Sequence, residues 1–235
     1  KGAAIEMKHI AIIPARSGSR GLKDKNIKLL KGKPLMAYTI EAAVQSKLFD
    51  CVHVSTDSSL YADIARKCGA DVPFLREEEL AQDTSSTWDT LRSVIKKYQA
   101  YGREFDLVTL LQPTSPLRDA ADICQAYAIF CKKKADAVIS VCPLEHSIQI
   151  CNKLGEDHSM YQFLDSNLVG ARQAAETFYR INGAIYIQKT KMLMAHENLY
   201  NEKSYAYIMD KQHSIDIDDA FDFQMAEMVL GNYIS

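Results

Sequence analysis

The stretch "HIAIIPARSGSRGLKDKN", His9–Asn26, joins two unlike halves. His9–Pro14 is a continuous apolar run of strand length that stops at a proline, the pattern of a strand buried on both faces. The twelve residues after it carry two glycines, two serines, two arginines and two lysines. Glycines let backbone amides approach an anion, and Arg16, Arg20, Lys23 and Lys25 add positive charge. Such a loop at a strand end suits a polyphosphate. It is not a P-loop, because no Gly-Lys-Ser/Thr follows at the required spacing, and Gly18 with Gly21 does not complete G-x-G-x-x-G. The same residues also suit a solvated loop whose charges face water.

Outward from this stretch, apolar runs alternate with segments of helical period. The runs predict strands at His9–Pro14, Val52–Ser55, Val72–Leu75, Leu107–Leu111, Ala137–Cys142, Ala184–Gln188 and Tyr205–Met209. Helices are predicted at Leu35–Ser46, Ser58–Cys68, Thr87–Tyr101, Asp119–Lys133 and Asp219–Leu230. Short apolar strands separated by helices predict an α/β fold with a mostly parallel sheet covered on both faces. Ligands of such folds sit beyond the carboxyl ends of the strands. One region breaks the rhythm: from about Pro143 to Arg180 the chain is irregular and polar, with Tyr161, Phe163, Phe178 and Tyr179 interspersed. A connection that long is usually functional, and it reads as an excursion that packs against a second subunit.

Two further stretches fall at the expected ligand edge. In "LLQPTSPLR", Leu110–Arg118, two prolines stiffen a loop offering Gln112, Thr114, Ser115 and Arg118. A rigid turn with a helix cap would look the same. In "SIDIDDAFDF", an extended chain would aim Asp216 and Asp218 to one side. Paired hard oxygens beside a polyphosphate are what Mg²⁺ takes. Equally, Asp218 can cap the last helix, with Asp219 and Asp222 favouring its positive end. A cationic loop, a polar strand-end loop and an acidic pair converge if they serve one site, and polyphosphate with Mg²⁺ points to nucleotide chemistry.

Composition bounds the rest. The 235 residues, 47% hydrophobic and 25% charged, supply one substantial core, or one core with a small appendage. A net charge of −2 gives no global basic field for nucleic acid. No apolar run approaches a membrane span and no signal peptide is visible, so no membrane partner is expected. The first residues, "KGAAIE", are left out of the fold reading. Cys51, Cys68, Cys124, Cys131, Cys142 and Cys151 form no C-x-x-C and read as free thiols in a reducing compartment.

The blocks "IPARSGSRGLKDKN", "GKPLMAYTIEAA", "VSTDS", "LREEELAQDTSST", "LLQPTSPLR", "YRINGAIYI" and "SIDID" follow one another with the spacing of a known family. From Lys8 onward the chain resembles the acylneuraminate cytidylyltransferases, or CMP-sialic acid synthetases. The resemblance implies a nucleotidyltransferase (Rossmann-like) domain over residues 8–235, with 143–180 as an inserted dimerisation segment exchanged in a homodimer. The single-domain length and the lack of a targeting signal make a cytoplasmic enzyme the expectation. It implies transfer of CMP from CTP to a nonulosonic acid, N-acetylneuraminate first among them, with release of pyrophosphate. The metal would be Mg²⁺, or Mn²⁺ in its place.

Carried over by position, Arg16 and Arg20 would hold the phosphates, with Lys25 and Asn26 beside the triphosphate and nucleoside. Arg76 and the segment 83–87, with Ser85, Ser86 and Thr87, resemble the family's cytosine and ribose contact. Gln112 resembles a sugar contact; Arg172 and Arg180, followed by Asn182 and Gly183, fall near the sugar site. Asp216 and Asp218 match the metal-binding aspartates. Arg172 and Arg180 equally suit the dimer interface, and His146 suits either a place near the sugar or a structural role.

Two departures concern the sugar end. Leu199 stands, beside Tyr200, where relatives place an aromatic pair against the N-acyl group. Ser147-Ile148-Gln149-Ile150 lacks the lysine that relatives often carry there. Legionaminate and pseudaminate therefore stay open as substrates. Enzymes for the eight-carbon acid Kdo differ in "LLQPTSPLR" and "YRINGAIYI". A catalytically silent nucleotide-sugar binding subunit is the remaining alternative.

Overall fold

The computed structural model describes residues 7–19, 21–82, 85–146, 148–164 and 177–232. In chain order the strands are β1 (His9–Pro14), β2 (Leu29–Leu30), β3 (Lys33–Pro34), β4 (Cys51–Ser55), β5 (Leu107–Leu110), β6 (Ala137–Pro143), β7 (Tyr179–Lys189) and β8 (Ser204–Ile208). The helices are α1 (Leu35–Ser46), α2 (Ser59–Lys67), α3 (Thr87–Ala100), α4 (Ala120–Lys133), α5 (Thr190–Met194) and α6 (Ala220–Asn232). Six strands form one sheet in the order β4-β1-β5-β7-β6-β8. The pairs β1·β4, β1·β5 and β6·β8 are parallel, while β7 runs antiparallel between β5 and β6. The expected mostly parallel, helix-covered α/β sheet is the observed one.

The apolar run of β1 explains why both faces are covered. Ala11 and Ile13 enter a core with Met36 and Ile40 of α1, Ala62 of α2, and Ile123 and Ala126 of α4. Ile10 and Ile12 enter the opposite core with Leu91, Val94, Ile95 and Tyr98 of α3. A strand whose successive side chains all find apolar partners has no polar face to show water. A third cluster joins Phe223 and Ala226 of α6 to Leu30, Leu35 and Ile217, seating the last helix near the first loop.

Three details correct the sequence expectation. Val72–Leu75 is not a strand: Asp71 makes an isolated bridge to His53, and Pro73, lacking an N–H, cannot continue a ladder beside β4. Instead Phe74 packs against the rings of Tyr98 and Tyr101. The strand expected at Ala184–Gln188 extends back to Tyr179, so Arg180 and Asn182 lie in β7. Its pairing with β6 slips register between Ile139 and Val141. The gap is filled by the Ser140 hydroxyl, which donates to Asn182 Oδ1 at 2.6 Å and accepts the Ile185 N–H at 2.8 Å. The small β2–β3 hairpin turns on Lys31 and Gly32, both at positive φ, a two-residue turn the pattern reading passed over.

Candidate functional site

At the carboxyl edge of β1 and β5 a cleft of about 640 Å³ is lined by residues of the first loop, by Arg76, Leu80, Gln82, Ser85 and Thr87, by the loop after β5, and by Asp218. Arg16, Lys25, Asn26, Arg76, Ser85, Thr87, Gln112 and Asp218 all face it, although they come from positions spread over the whole chain.

The first loop is held by specific contacts. Asn26, 5% exposed, donates from Nδ2 to the Arg16 carbonyl at 3.0 Å. Arg16 Nη1 donates to the Ala81 carbonyl at 3.1 Å. Asp57 accepts both the Ser17 N–H (2.8 Å) and the Ser17 hydroxyl (2.6 Å). Burial pushes the Asp57 carboxyl up, but the Ser17 donors outweigh it and leave the group below its ordinary value. Gly18, at φ +70°, then turns the chain so that Ser19 and Gly21 line the cleft. Arg76 donates from Nε to Ser55 Oγ (3.0 Å) and from Nη2 to the Ser55 carbonyl (2.7 Å). Burial lowers its pKa to about 10, so it stays cationic at neutral pH.

The acidic end is organised as carefully. The cap of α6 is Asp219, whose Oδ1 accepts the Asp222 N–H at 3.0 Å while Asp222 Oδ2 accepts the Asp219 N–H at 3.1 Å. Asp218 is thereby released from the capping role its position also suited. Its side chain is 82% exposed and stands 3.5 Å from Lys25 Nζ, which donates to the Ile217 carbonyl at 2.6 Å. Asp216 is more enclosed: its Oδ1 is buried without a hydrogen-bond partner. Burial pushes its carboxyl up, a hydrogen bond from Thr114 opposes this, and the neighbouring Asp218 charge adds to it. A Cβ on Gly183, at φ +79°, would come within 3.1 Å of Gln112 Oε1 and 3.6 Å of Asp216 Oδ2, so the bulge of β7 brings bare backbone against both. The Gln112 carbonyl in turn accepts from Thr39 Oγ1 and from Nη2 of the buried Arg118.

The other expected site residues lie elsewhere. Ser86 caps α3, its Oγ accepting the Trp88 N–H at 3.2 Å. Asn182, 1% exposed, spends its amide on Ser214 Oγ, Met209 Sδ and Ser140. Arg180 does not line the cleft; its Nη2 donates to the Ser214 carbonyl at 3.3 Å, and its charge reaches Asp216. His146 is exposed in the loop after β6. Leu199 is buried beside Trp88 and Tyr186, and Tyr200 is exposed next to it. Arg20, Asp83, Thr84 and Arg172 lie outside the described residues. Sequence reading left out Ser19, Gln82 and Thr90, which line the cleft, and Asp57, which the position of "VSTDS" at a strand's carboxyl end would have flagged.

The model of the cytidylyltransferase family matches residues 10–230. The chain belongs to the cytidylyltransferase family. It is 42% identical over 220 residues to the N-acylneuraminate cytidylyltransferase of Escherichia coli O18:K1:H7 (strain RS218 / NMEC), covering 93% of this chain and 51% of that protein. The chain thus spans about half the length of that relative. It is 37% identical to the CMP-N,N'-diacetyllegionaminic acid synthase of Legionella pneumophila, covering 95% of this chain and 97% of that one. A pseudaminic acid cytidylyltransferase of Campylobacter jejuni is 30% identical, covering 95% and 96%. Among solved structures, a CMP:2-keto-3-deoxy-manno-octonic acid synthetase complexed with CTP superposes with a TM-score of 0.71 at 16% identity, over 96% of this chain and 99% of that one. That likeness concerns the fold.

Cytidylyltransferases typically use a divalent metal. The residues here fit one: a buried carboxylate oxygen without a donor, beside a second carboxylate, is the hard-oxygen chemistry such an ion takes. A second acidic group, Asp119, Asp122 and His213, brings three ligand atoms within 4.8 Å of one another. Its members are otherwise engaged. Asp119 and Asp122 form the reciprocal cap of α4, and Asp122 also accepts from the Tyr207 hydroxyl at 2.8 Å and stands 2.7 Å from His213 Nδ1. None of the three lines the cleft.

Proposed function

We propose that the chain transfers CMP from CTP to the anomeric hydroxyl of a sialic-type nonulosonic acid, N-acetylneuraminate first, releasing pyrophosphate. The observation that carries this is the meeting of the cationic loop and Asp218 in one cleft, with Lys25 Nζ 3.5 Å from Asp218 and the enclosed Asp216 beside the same Gly183 backbone as the cleft residue Gln112. The acceptor oxygen attacks the α-phosphorus and the bond to pyrophosphate breaks, a reaction governed by positioning and charge neutralisation. Arg16, Arg20 and Lys25 neutralise the triphosphate and the leaving pyrophosphate. Asn26, Arg76, Ser85 and Thr87 hold the nucleoside, with Ser86 capping the helix that Thr87 begins. Gln112 and Arg172 serve the sugar end, where an arginine suits the substrate carboxylate, and Arg180 and Asn182 brace that end through Ser214. Asp216 and Asp218 would hold Mg²⁺, or Mn²⁺ in its place. When bound, the ion supplies charge for the phosphates and lowers the acceptor's pKa.

Legionaminate and pseudaminate form a second reading, supported by the relatives that bear those names along nearly their full length. Residues 8–235 act as one domain. The segment 143–180, with Ile148, Ile150, Leu154, Met160 and Tyr161 exposed, suits a homodimer contact. The reaction draws on CTP and so belongs in the cytoplasm.

The test is pyrophosphate release from CTP and Mg²⁺, with N-acetylneuraminate, legionaminate, pseudaminate and Kdo supplied separately. Release with one nonulosonic acid, abolished by chelator, is the expected result. Silence with all four acids while CTP still binds would overturn it in favour of a silent subunit.

A further inference from the structure

The first loop is gripped from behind at two points, and both grips come from the start of α2. Asp57 follows the carboxyl end of β4 and precedes Ser58, the cap of α2. Its two carboxylate oxygens take the N–H and the hydroxyl of Ser17, at 2.8 and 2.6 Å. One turn into the helix, Tyr61, only 2% exposed, donates its hydroxyl to Asp24 Oδ1 at 3.0 Å. Asp24 sits at φ 52° immediately before the turn Lys25–Ile27. Ser17 and Asp24 are the two shoulders of the loop and neither lines the cleft, whereas Ser19, Gly21 and Lys25 between and beside them do.

We propose that Asp57 and Tyr61 form a clamp that presets the first loop for the triphosphate, and that they set CTP affinity as positioning residues without touching nucleotide. The proposal rests on the cytidylyltransferase reading above. A glycine-containing loop loses much conformational freedom when it closes on an anion, and that loss comes out of the binding free energy unless the loop is already ordered. Asp57 orders the first shoulder through two hydrogen bonds to one charged group, the stronger kind. Tyr61 orders the second through a residue in the left-handed region, a conformation needing local support. The clamp helix has its own anchorage, since Ala62 and Ala65 are buried in the main core. Removing one polar contact therefore loosens the loop without unseating α2.

The experiment compares the wild-type chain with Asp57→Asn, Tyr61→Phe, Ser17→Ala and the Ser17→Ala/Asp57→Asn pair. CTP affinity is measured by calorimetry, the KM of each substrate and kcat by pyrophosphate release, and melting temperature as the check on folding. The expected result is a CTP Kd and KM raised roughly tenfold in Asp57→Asn and severalfold in Tyr61→Phe, with kcat and the acid's KM within about twofold. The pair should lose no more than Asp57→Asn alone, because both changes break the same contact. Unchanged CTP affinity in both Asp57→Asn and Tyr61→Phe, or parallel losses in kcat and the acid's KM, would overturn the clamp. A wild-type chain that binds no CTP would overturn the cytidylyltransferase reading instead.

Discussion

A Cβ built on Gly21 would stand 2.5 Å from the carbonyl oxygen of Asp218, so the first loop and the acidic segment meet backbone to backbone. Nothing larger than a hydrogen fits there without movement. Gly21→Ala must push Asp218 and Lys25 apart at a strain of roughly 1–3 kcal/mol. Turnover should fall at least tenfold with a modest drop in melting temperature. Wild-type pyrophosphate release in this variant would show that the close approach is dispensable.

Asp218→Asn should cost turnover on the order of a hundredfold while leaving the fold intact. The exposed carboxylate contributes little stability through Lys25, so its removal tests chemistry and not packing. Thermal melting and an Mg²⁺ titration of the rate check both halves. A variant that kept its rate and metal dependence would remove Asp218 from the metal site.

Arg16→Ala should raise the KM for CTP about tenfold or more, with a smaller change for the acid, because charge-assisted bonds to phosphate belong to the nucleotide end. Calorimetry with CTP alone gives the direct reading. Equal CTP affinity in variant and wild type would sink the assignment.

Asp216→Asn should separate stability from function. Burial without a partner for Oδ1 makes ionised Asp216 unfavourable in the folded chain. Replacing it with a neutral isostere should raise the melting temperature in metal-free buffer, by about 2–4 °C for each ~1 kcal/mol relieved. The same change should abolish stabilisation by added Mg²⁺. A lower metal-free melting temperature would mean that the carboxylate is needed for packing.

His9 and His53 make a prediction about acid. Burial lowers both imidazoles to about 3; for His53 the charges of Arg76 and Lys97 add to the effect, whereas for His9 the charge of Asp50 opposes it. In the unfolded chain each takes a proton near pH 6.5, in the folded chain only near 3. Between those values the unfolded state binds more protons, so stability falls as pH falls, by up to about 1.4 kcal/mol per pH unit for each group. Urea unfolding from pH 7 to 4 should show this slope, and His53→Gln should flatten it. An unchanged slope would place the acid sensitivity elsewhere.

The residues of β1 announced their strand because every neighbour in the run is apolar, and the charge after Pro14 announced a loop for an anion. Those are local properties, carried by composition and period, and they sufficed for the fold class; the family came from the resemblance of seven motif blocks in order. Val72–Leu75 shows where the local signal misleads: apolar residues mark burial, but Pro73 denies the ladder its donor, and only the neighbouring strand reveals that no partner is made. Asp218 shows the same limit at the site, since its spacing suited a helix cap and a metal ligand equally until Asp219 was seen to take the cap. The antiparallel course of β7, the grip of Asp57 on Ser17 and the contact of Gly21 with Asp218 join residues far apart along the chain. Periodicity reports which way a side chain points from its own element, whereas packing of the whole sheet decides which distant segment it meets.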